Sequence, residues 1–163
     1  MNKVLVAVID SARVRFFALE LGGFPEAGDG ARLTELDGLL NPAAETRGEE
    51  LWSSTKTGRN RGTGGQAHSY DDHREGHRAE FERRFAQEIA TQITERVQAE
   101  SIRNLILIAE PQVIGFMRDA IASTAPPQLH VQELAKNLSH LKTHELHKCL
   151  ASHNLAPEPI RLQ

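Results

Sequence analysis

Gly64-Gly65-Gln66 is the grouping in this chain best suited to chemistry. Paired glycines let the backbone take left-handed or cramped conformations and approach another polymer closely. The backbone N–H and side-chain amide of Gln66 can hold a water or a developing oxyanion beside an ester carbonyl. Lys56, Arg59 and Arg61 lie just upstream and supply charge that seeks phosphate without reading base sequence. No acidic residue falls between Glu50 and Asp71, so that stretch carries +3 although the whole chain carries -3. Four of the eight residues from 58 to 65 are glycine, and residues 46–70 show no sustained apolar periodicity. Loops of that length inside a compact domain are uncommon and are often functional. Gly64, Gly65 and Gln66 are therefore the candidate catalytic residues, and Lys56, Arg59 and Arg61 the candidate RNA contacts.

Histidines extend this group. His68, His73 and His77 follow the loop, and His73 and His77 stand one helical turn apart. Such a pair can ligate zinc, but a structural site needs two further ligands and no cysteine is near. They are read as phosphate contacts, with one of them a possible general base near Gln66. His140, His144, His147 and His153 scatter around the single cysteine, Cys149, and are read as a solvated face; no metal and no cofactor is expected. Asp10 closes an apolar run and could serve as the first carboxylate of a metal-dependent nuclease, with Asp71, Asp72 or Glu110 as partners. A turn role suits it better, since aspartate favours turns. Trp52 and Tyr70 flank the basic loop and are read as anchors packed on the sheet rather than base-stacking platforms.

The elements that must position these residues follow from periodicity. Residues 4–9 are apolar at both parities, as in a strand buried on both faces. Asp10-Ser11 is turn chemistry, and residues 13–21 form a second strand hairpin-paired with the first. Residues 31–36 suit a third strand. Asp71 or Asp72 can cap a long helix whose stripe is Phe81, Phe85, Ile89, Ile93 and Val97, with Ala86 and Ala90 beside it. Residues 104–109 form another doubly buried strand. Pro111 opens a helix that faces inward through Val113, Met117, Ala120 and Ile121 and stops at Pro126-Pro127. Residues 129–134 form a further strand, and Thr143 caps a last helix with Leu146 and Leu150 inward. The order predicts a single α/β domain over residues 1–155, a mixed sheet of about five strands with helices packed on it, and a tail at 156–163.

Bulk properties set limits. The chain has 163 residues, 39% hydrophobic and 25% charged, as a single globular domain does. One cysteine excludes an internal disulfide and suits a reducing compartment. The apolar run at 4–9 is too short to span a membrane, and no signal-peptide cleavage pattern follows it. A cytoplasmic protein with no membrane or DNA partner is expected.

Residues 56–66, followed at once by an amphipathic helix, resemble the central domain of archaeal and eukaryotic class-1 release factors. That domain opens with a strand ending in an aspartate turn, then a second strand, then a basic Gly-Gly-Gln loop and a long helix. Ile9-Asp10-Ser11 followed by residues 14–19 matches the opening, and residues 104–109 match the strand after the helix. A closer resemblance is to the bacterial single-domain family of host attachment proteins, regarded as relatives of that domain. It rests on Asp10-Ser11-Ala12-Arg13-Val14-Arg15-Phe16-Phe17, the Gly58-Arg59 loop, and Asp72-His73 leading into Phe85-Ala86. Leu105-Ile106-Leu107-Ile108-Ala109-Glu110-Pro111 and Glu133-Leu134-Ala135-Lys136-Asn137-Leu138 continue it over nearly the whole chain.

The resemblance implies the release-factor fold, with its RNase H-like topology, and contact with the ribosome or tRNA. It also implies hydrolysis of the peptidyl-tRNA ester, with Gln66 placing the water. Two departures matter. Thr63 stands where the release-factor loop carries a basic residue, and the chain has no room for a codon-reading domain. Hydrolysis would therefore proceed without decoding, as in rescue of stalled ribosomes. The alternative expectation is a non-enzymatic interaction protein involved in attachment to host cells or surfaces, and a third is a metal-dependent nuclease.

Overall fold

The computed structural model describes residues 2–22, 30–42 and 67–159, with side chains in the long helix described from Arg83 onward. The elements run β1 (Asn2–Ile9), β2 (Arg13–Leu21), β3 (Ala31–Leu40), α1 (Ala67–Glu100), β4 (Asn104–Ala109), α2 (Pro111–Thr124), β5 (His130–Ala135) and α3 (Thr143–Ser152). They build one five-stranded mixed sheet in the order β3-β2-β1-β4-β5. β1 pairs antiparallel with β2 and parallel with β4, β2 pairs antiparallel with β3, and β4 pairs parallel with β5. This is the single α/β domain and mixed sheet that the sequence predicts.

Double burial explains the two apolar strands. Leu5, Ala7 and Ile9 of β1 join Leu105, Leu107 and Ala109 of β4 under α1 and α2. Val4, Val6 and Val8 join Ile106 and Ile108 on the other face, beneath Leu146 and Leu150 of α3. The helical stripe of α1 packs as its spacing requires: Phe85, Ile89, Ile93 and Val97 are all buried, with Ala86 and Ala90 between them. Phe81 lies among the side chains outside the described set. Arg96, on the same helix, reaches over the Phe16 ring at 4.6 Å and donates to the Asp37 carbonyl at 2.6 Å. That places a cation on an aromatic face while its tip binds backbone.

Four boundaries differ from the sequence reading. α1 starts at Ala67 rather than at an Asp71 or Asp72 cap, and so absorbs residues 67–70 of the expected loop. The nearest strong breakers, Gly64-Gly65, lie upstream of Ala67, and nothing between 67 and 70 forces a stop. α3 is capped from Lys142, not Thr143: the Glu145 side chain accepts from the Lys142 N–H at 3.0 Å. β5 covers His130–Ala135, one residue later than expected. β3 continues to Leu40, past the expected Leu36, through a bulge where Asp37 and Gly38 stand opposite Arg15 between the Val14–Leu39 and Phe16–Leu36 pairs. A β-carbon at Gly38 would strike the Val14 carbonyl, so the bulge needs glycine there.

Candidate functional site

The carboxyl ends of β1, β4 and β5 lie side by side and form the edge at which the chain leaves the sheet after Asn41. Asp10 ends β1 in a tight turn. Its Oδ1 accepts the N–H groups of Ala12 at 2.7 Å and Arg13 at 2.8 Å, and its own N–H donates to the Arg13 carbonyl at 2.9 Å. This is the turn role that the sequence favours. Asn41, at the end of β3, is clamped to the same turn. Its N–H donates to the Ala12 carbonyl and its Nδ2 to the Ser11 carbonyl, each at 2.8 Å. Asn41 is only 3% exposed, and its burial with partners satisfied fixes where the chain leaves the sheet. On return, Phe85 and Ala86 of α1 line a small apolar crevice with Ile9, Asp10 and Ser11. The point where the chain leaves the sheet and a site midway along α1 therefore meet at one turn.

The neighbouring strand ends carry polar groups. Glu110 follows β4, in register beside Asp10, and accepts from Asn137 Nδ2 at 3.3 Å. Asn137 Oδ1 accepts from the Ser139 hydroxyl at 3.0 Å. The Ser139 carbonyl accepts from Arg13 Nη2 and Arg15 Nη1, both at 2.9 Å. Arg15 also donates to the Leu141 carbonyl at 2.6 Å and grips Glu35 through both carboxylate oxygens, at 3.0 and 2.8 Å. The Arg15 hydrogen bond holds the Glu35 carboxyl below its ordinary pKa, against the opposing pull of desolvation, and Glu35 raises that of Arg15 in return. The sequence reading missed this knot. The available signal was two arginines at alternate positions, 13 and 15, at the start of a strand otherwise rich in valine and phenylalanine.

The predicted site residues divide into two groups. Lys56, Arg59, Arg61, Gly64, Gly65 and Gln66, with Trp52, lie outside the described residues. His68, Tyr70, His73 and His77 lie on the first turns of α1, where the backbone but not the side chains is described. At 1.5 Å per residue, about 27 Å of helix precedes Phe85. Of the nuclease candidates, the structure places Asp10 and Glu110 on adjacent strand ends, while Asp71 and Asp72 lie on the early turns of α1. Among the described residues no group of three or more His, Cys, Asp or Glu is placed to hold a metal ion, and no helix is long and apolar enough to cross a membrane.

In the second histidine scatter His140 and His144 are exposed, as a solvated face requires, and His147 corrects that reading. His147 is 4% exposed, and its Nε2 lies 3.0 Å from the Pro157 carbonyl. Desolvation pushes its pKa down, with His144 adding to the effect and the Pro157 hydrogen bond and Glu158 opposing it. The ring is thus neutral and donates through Nε2. It holds a C-terminal strap: the Glu158 carbonyl accepts from the Ala31 N–H at 3.0 Å, and Pro159 bridges to Ala31 at the start of β3. Cys149 and His153 approach on the exposed side of α3, with Sγ and Nδ1 3.8 Å apart.

No curated protein matches the chain. A family signature described as "protein required for attachment to host cells" matches residues 5–150, which run from the first strand to the last helix. The match takes in every element that builds this edge, from the Asp10 turn to the Asn137–Ser139 knot. The chain therefore belongs to the family of proteins required for attachment to host cells.

Proposed function

We propose that this protein is an interaction protein serving attachment to host cells, and that it makes its contact through residues 46–66 together with the start of α1. The observation that supports this reading is the fixing of the chain on either side of that segment, at Asn41 before it and midway along α1 after it. Asn41 ties its departure, and Phe85 and Ala86 tie the following helix, to one turn at the carboxyl edge of the sheet. Binding residues are often carried on segments that connect the elements of a rigid scaffold. Replacing Lys56, Arg59 and Arg61 together by alanine should reduce attachment to the level of a deletion strain at unchanged protein abundance. Full attachment by that variant would remove the loop from the reading.

A second reading is favoured by the composition of the same segment. Three cations without an acid, interleaved with glycine and followed directly by Gln66 and α1, suit contact with RNA or the ribosome. In its strongest form this reading includes hydrolysis of the peptidyl-tRNA ester, with Gln66 positioning the water and Lys56, Arg59 and Arg61 holding acceptor-stem phosphates. His68, His73 and His77 would extend that phosphate contact along α1. Purified protein should then co-sediment with ribosomes in a salt-sensitive way and release peptide from peptidyl-tRNA. Gln66→Ala should abolish release and leave co-sedimentation intact. An unchanged release rate in that variant would sink the catalytic form, and absence of co-sedimentation would sink the reading as a whole.

A further inference from the structure

A half-open cleft of about 570 Å³ lies at the opposite end of the molecule, where α1 ends, β4 begins and the chain passes from α2 into β5. Its volume falls within the ~300–1,000 Å³ typical of small-molecule sites. Val97 and Ile102, both buried core residues, form its apolar floor, and Leu129 packs against the same cluster. Gln98, Gln128, Ser101 and Arg103 supply its polar rim. Among the described residues no carboxylate lines the cleft, and the Arg103 guanidinium has no partner there.

The backbone adds a second observation. Ser101 takes φ 54°, the left-handed conformation that glycine or asparagine adopts at less cost. The Ile102 N–H closes the helix end on the Val97 carbonyl at 2.9 Å. That cap needs only backbone, so a glycine would serve it. A serine stands there instead, at a position that lines the cleft. Backbone held in an unfavoured region clusters at ligand sites, where the surrounding structure over-determines it.

We propose that this cleft binds a small organic carboxylate with an aliphatic or aromatic body. The body rests on Val97, Ile102 and Leu129. The carboxylate pairs with the Arg103 guanidinium, whose planar fork matches two carboxylate oxygens. The amides of Gln98 and Gln128 and the Ser101 hydroxyl are left to bind polar substituents. This site shares no residue with the glycine-rich segment and does not depend on either functional reading above.

The test titrates the full chain with phenylbutyrate, phenylbutanol and phenylbutylamine, followed by backbone amide NMR. The carboxylate should give saturable shifts at residues 98–103 and 128–129, and the alcohol and the amine should bind at least about tenfold more weakly, as loss of one charge-assisted hydrogen-bonded pair implies. Arg103→Gln should lose about tenfold for the carboxylate alone, with Arg103→Lys recovering part of it. Arg118→Gln, on the outer face of α2, should bind as the parent does. The proposal is overturned if no probe saturates, if the alcohol binds as tightly as the carboxylate, or if Arg103→Gln is undiminished. The comparison of probes on the unaltered chain stands even where a variant fails to fold.

Discussion

Arg15 and Arg118 present the same bidentate grip on a glutamate and should matter very differently. The Arg15 side chain is 11% exposed, and its remaining donors hold the Ser139 and Leu141 carbonyls, so its guanidinium is used wholly within the fold. Removing it takes the donor from the half-buried Leu141 carbonyl and leaves the Ser139 carbonyl to Arg13 alone, and Arg15→Ala should cost about 1–3 kcal/mol of stability in chemical denaturation. Arg118 holds Glu133 at similar distances but is 64% exposed on its side chain. Arg118→Gln should leave stability close to that of the parent, because water and salt screen such a pair. Acid should act through Glu35 and His147, and more weakly through Glu133, whose carboxyl Arg118 also holds below its ordinary pKa. Glu35 has its folded pKa depressed, so its contribution is present above its unfolded pKa and is lost as pH falls through the folded value. His147 is also depressed: below its unfolded value near 6.5 the unfolded chain takes the proton first, and stability falls with pH. Melting temperature should therefore drop between pH 7.5 and pH 5.5 in the parent and drop less in His147→Gln, a range set by the ordinary histidine pKa of about 6.5. An equal drop in both proteins would remove His147 as the cause.

At the scale of elements, backbone geometry makes two further demands. Gly38 sits in the β3 bulge against the Val14 carbonyl, and Gly38→Ala should destabilise by about 1–3 kcal/mol because either the ladder or the bulge must shift. Ser101→Gly should stabilise by about 1 kcal/mol by relieving the left-handed strain at the end of α1. Urea unfolding of both variants checks the opposite signs together. These two positions also mark the limit of what the sequence disclosed. The strands at 4–9 and 104–109 and the stripe Phe85, Ile89, Ile93 and Val97 were legible because burial imposes a period on residue type. The bulge was not, since its cause is a carbonyl on another strand. The start of α1 was misplaced because Asp71-Asp72 offers a cap that the helix does not use as its start. The Arg13–Arg15 knot was hidden for the same reason as the bulge: its acceptors, the Ser139 and Leu141 carbonyls, lie more than a hundred residues away in sequence.

At the scale of the molecule, the two ends of the sheet differ in character. The carboxyl edge gathers the Asp10 turn, the arginine knot and Asn41, after which the chain leaves the sheet, while the opposite edge holds the cleft around Arg103. The basic segment was legible as composition alone, since glycine and arginine at 58–65 need no fold to be noticed. The meeting of Asn41 and Phe85 on one turn was not legible, because the two residues lie far apart in sequence. The strap at 156–159 lies along the start of β3, and His147 holds it. The strand order has a consequence for synthesis. β1 lies in the middle of the sheet, yet its parallel neighbour joins Val4 to Asn104, about a hundred residues later in the chain. While a nascent chain grows, the hairpin of β1 and β2 can close early, but the other rim of β1 must wait for β4 to emerge. During that interval a row of valine, leucine and isoleucine with unpaired backbone groups is open to any strand nearby. The newly made chain is thus most exposed to mispairing before β4 has arrived, and a holding chaperone would have its greatest effect in that window.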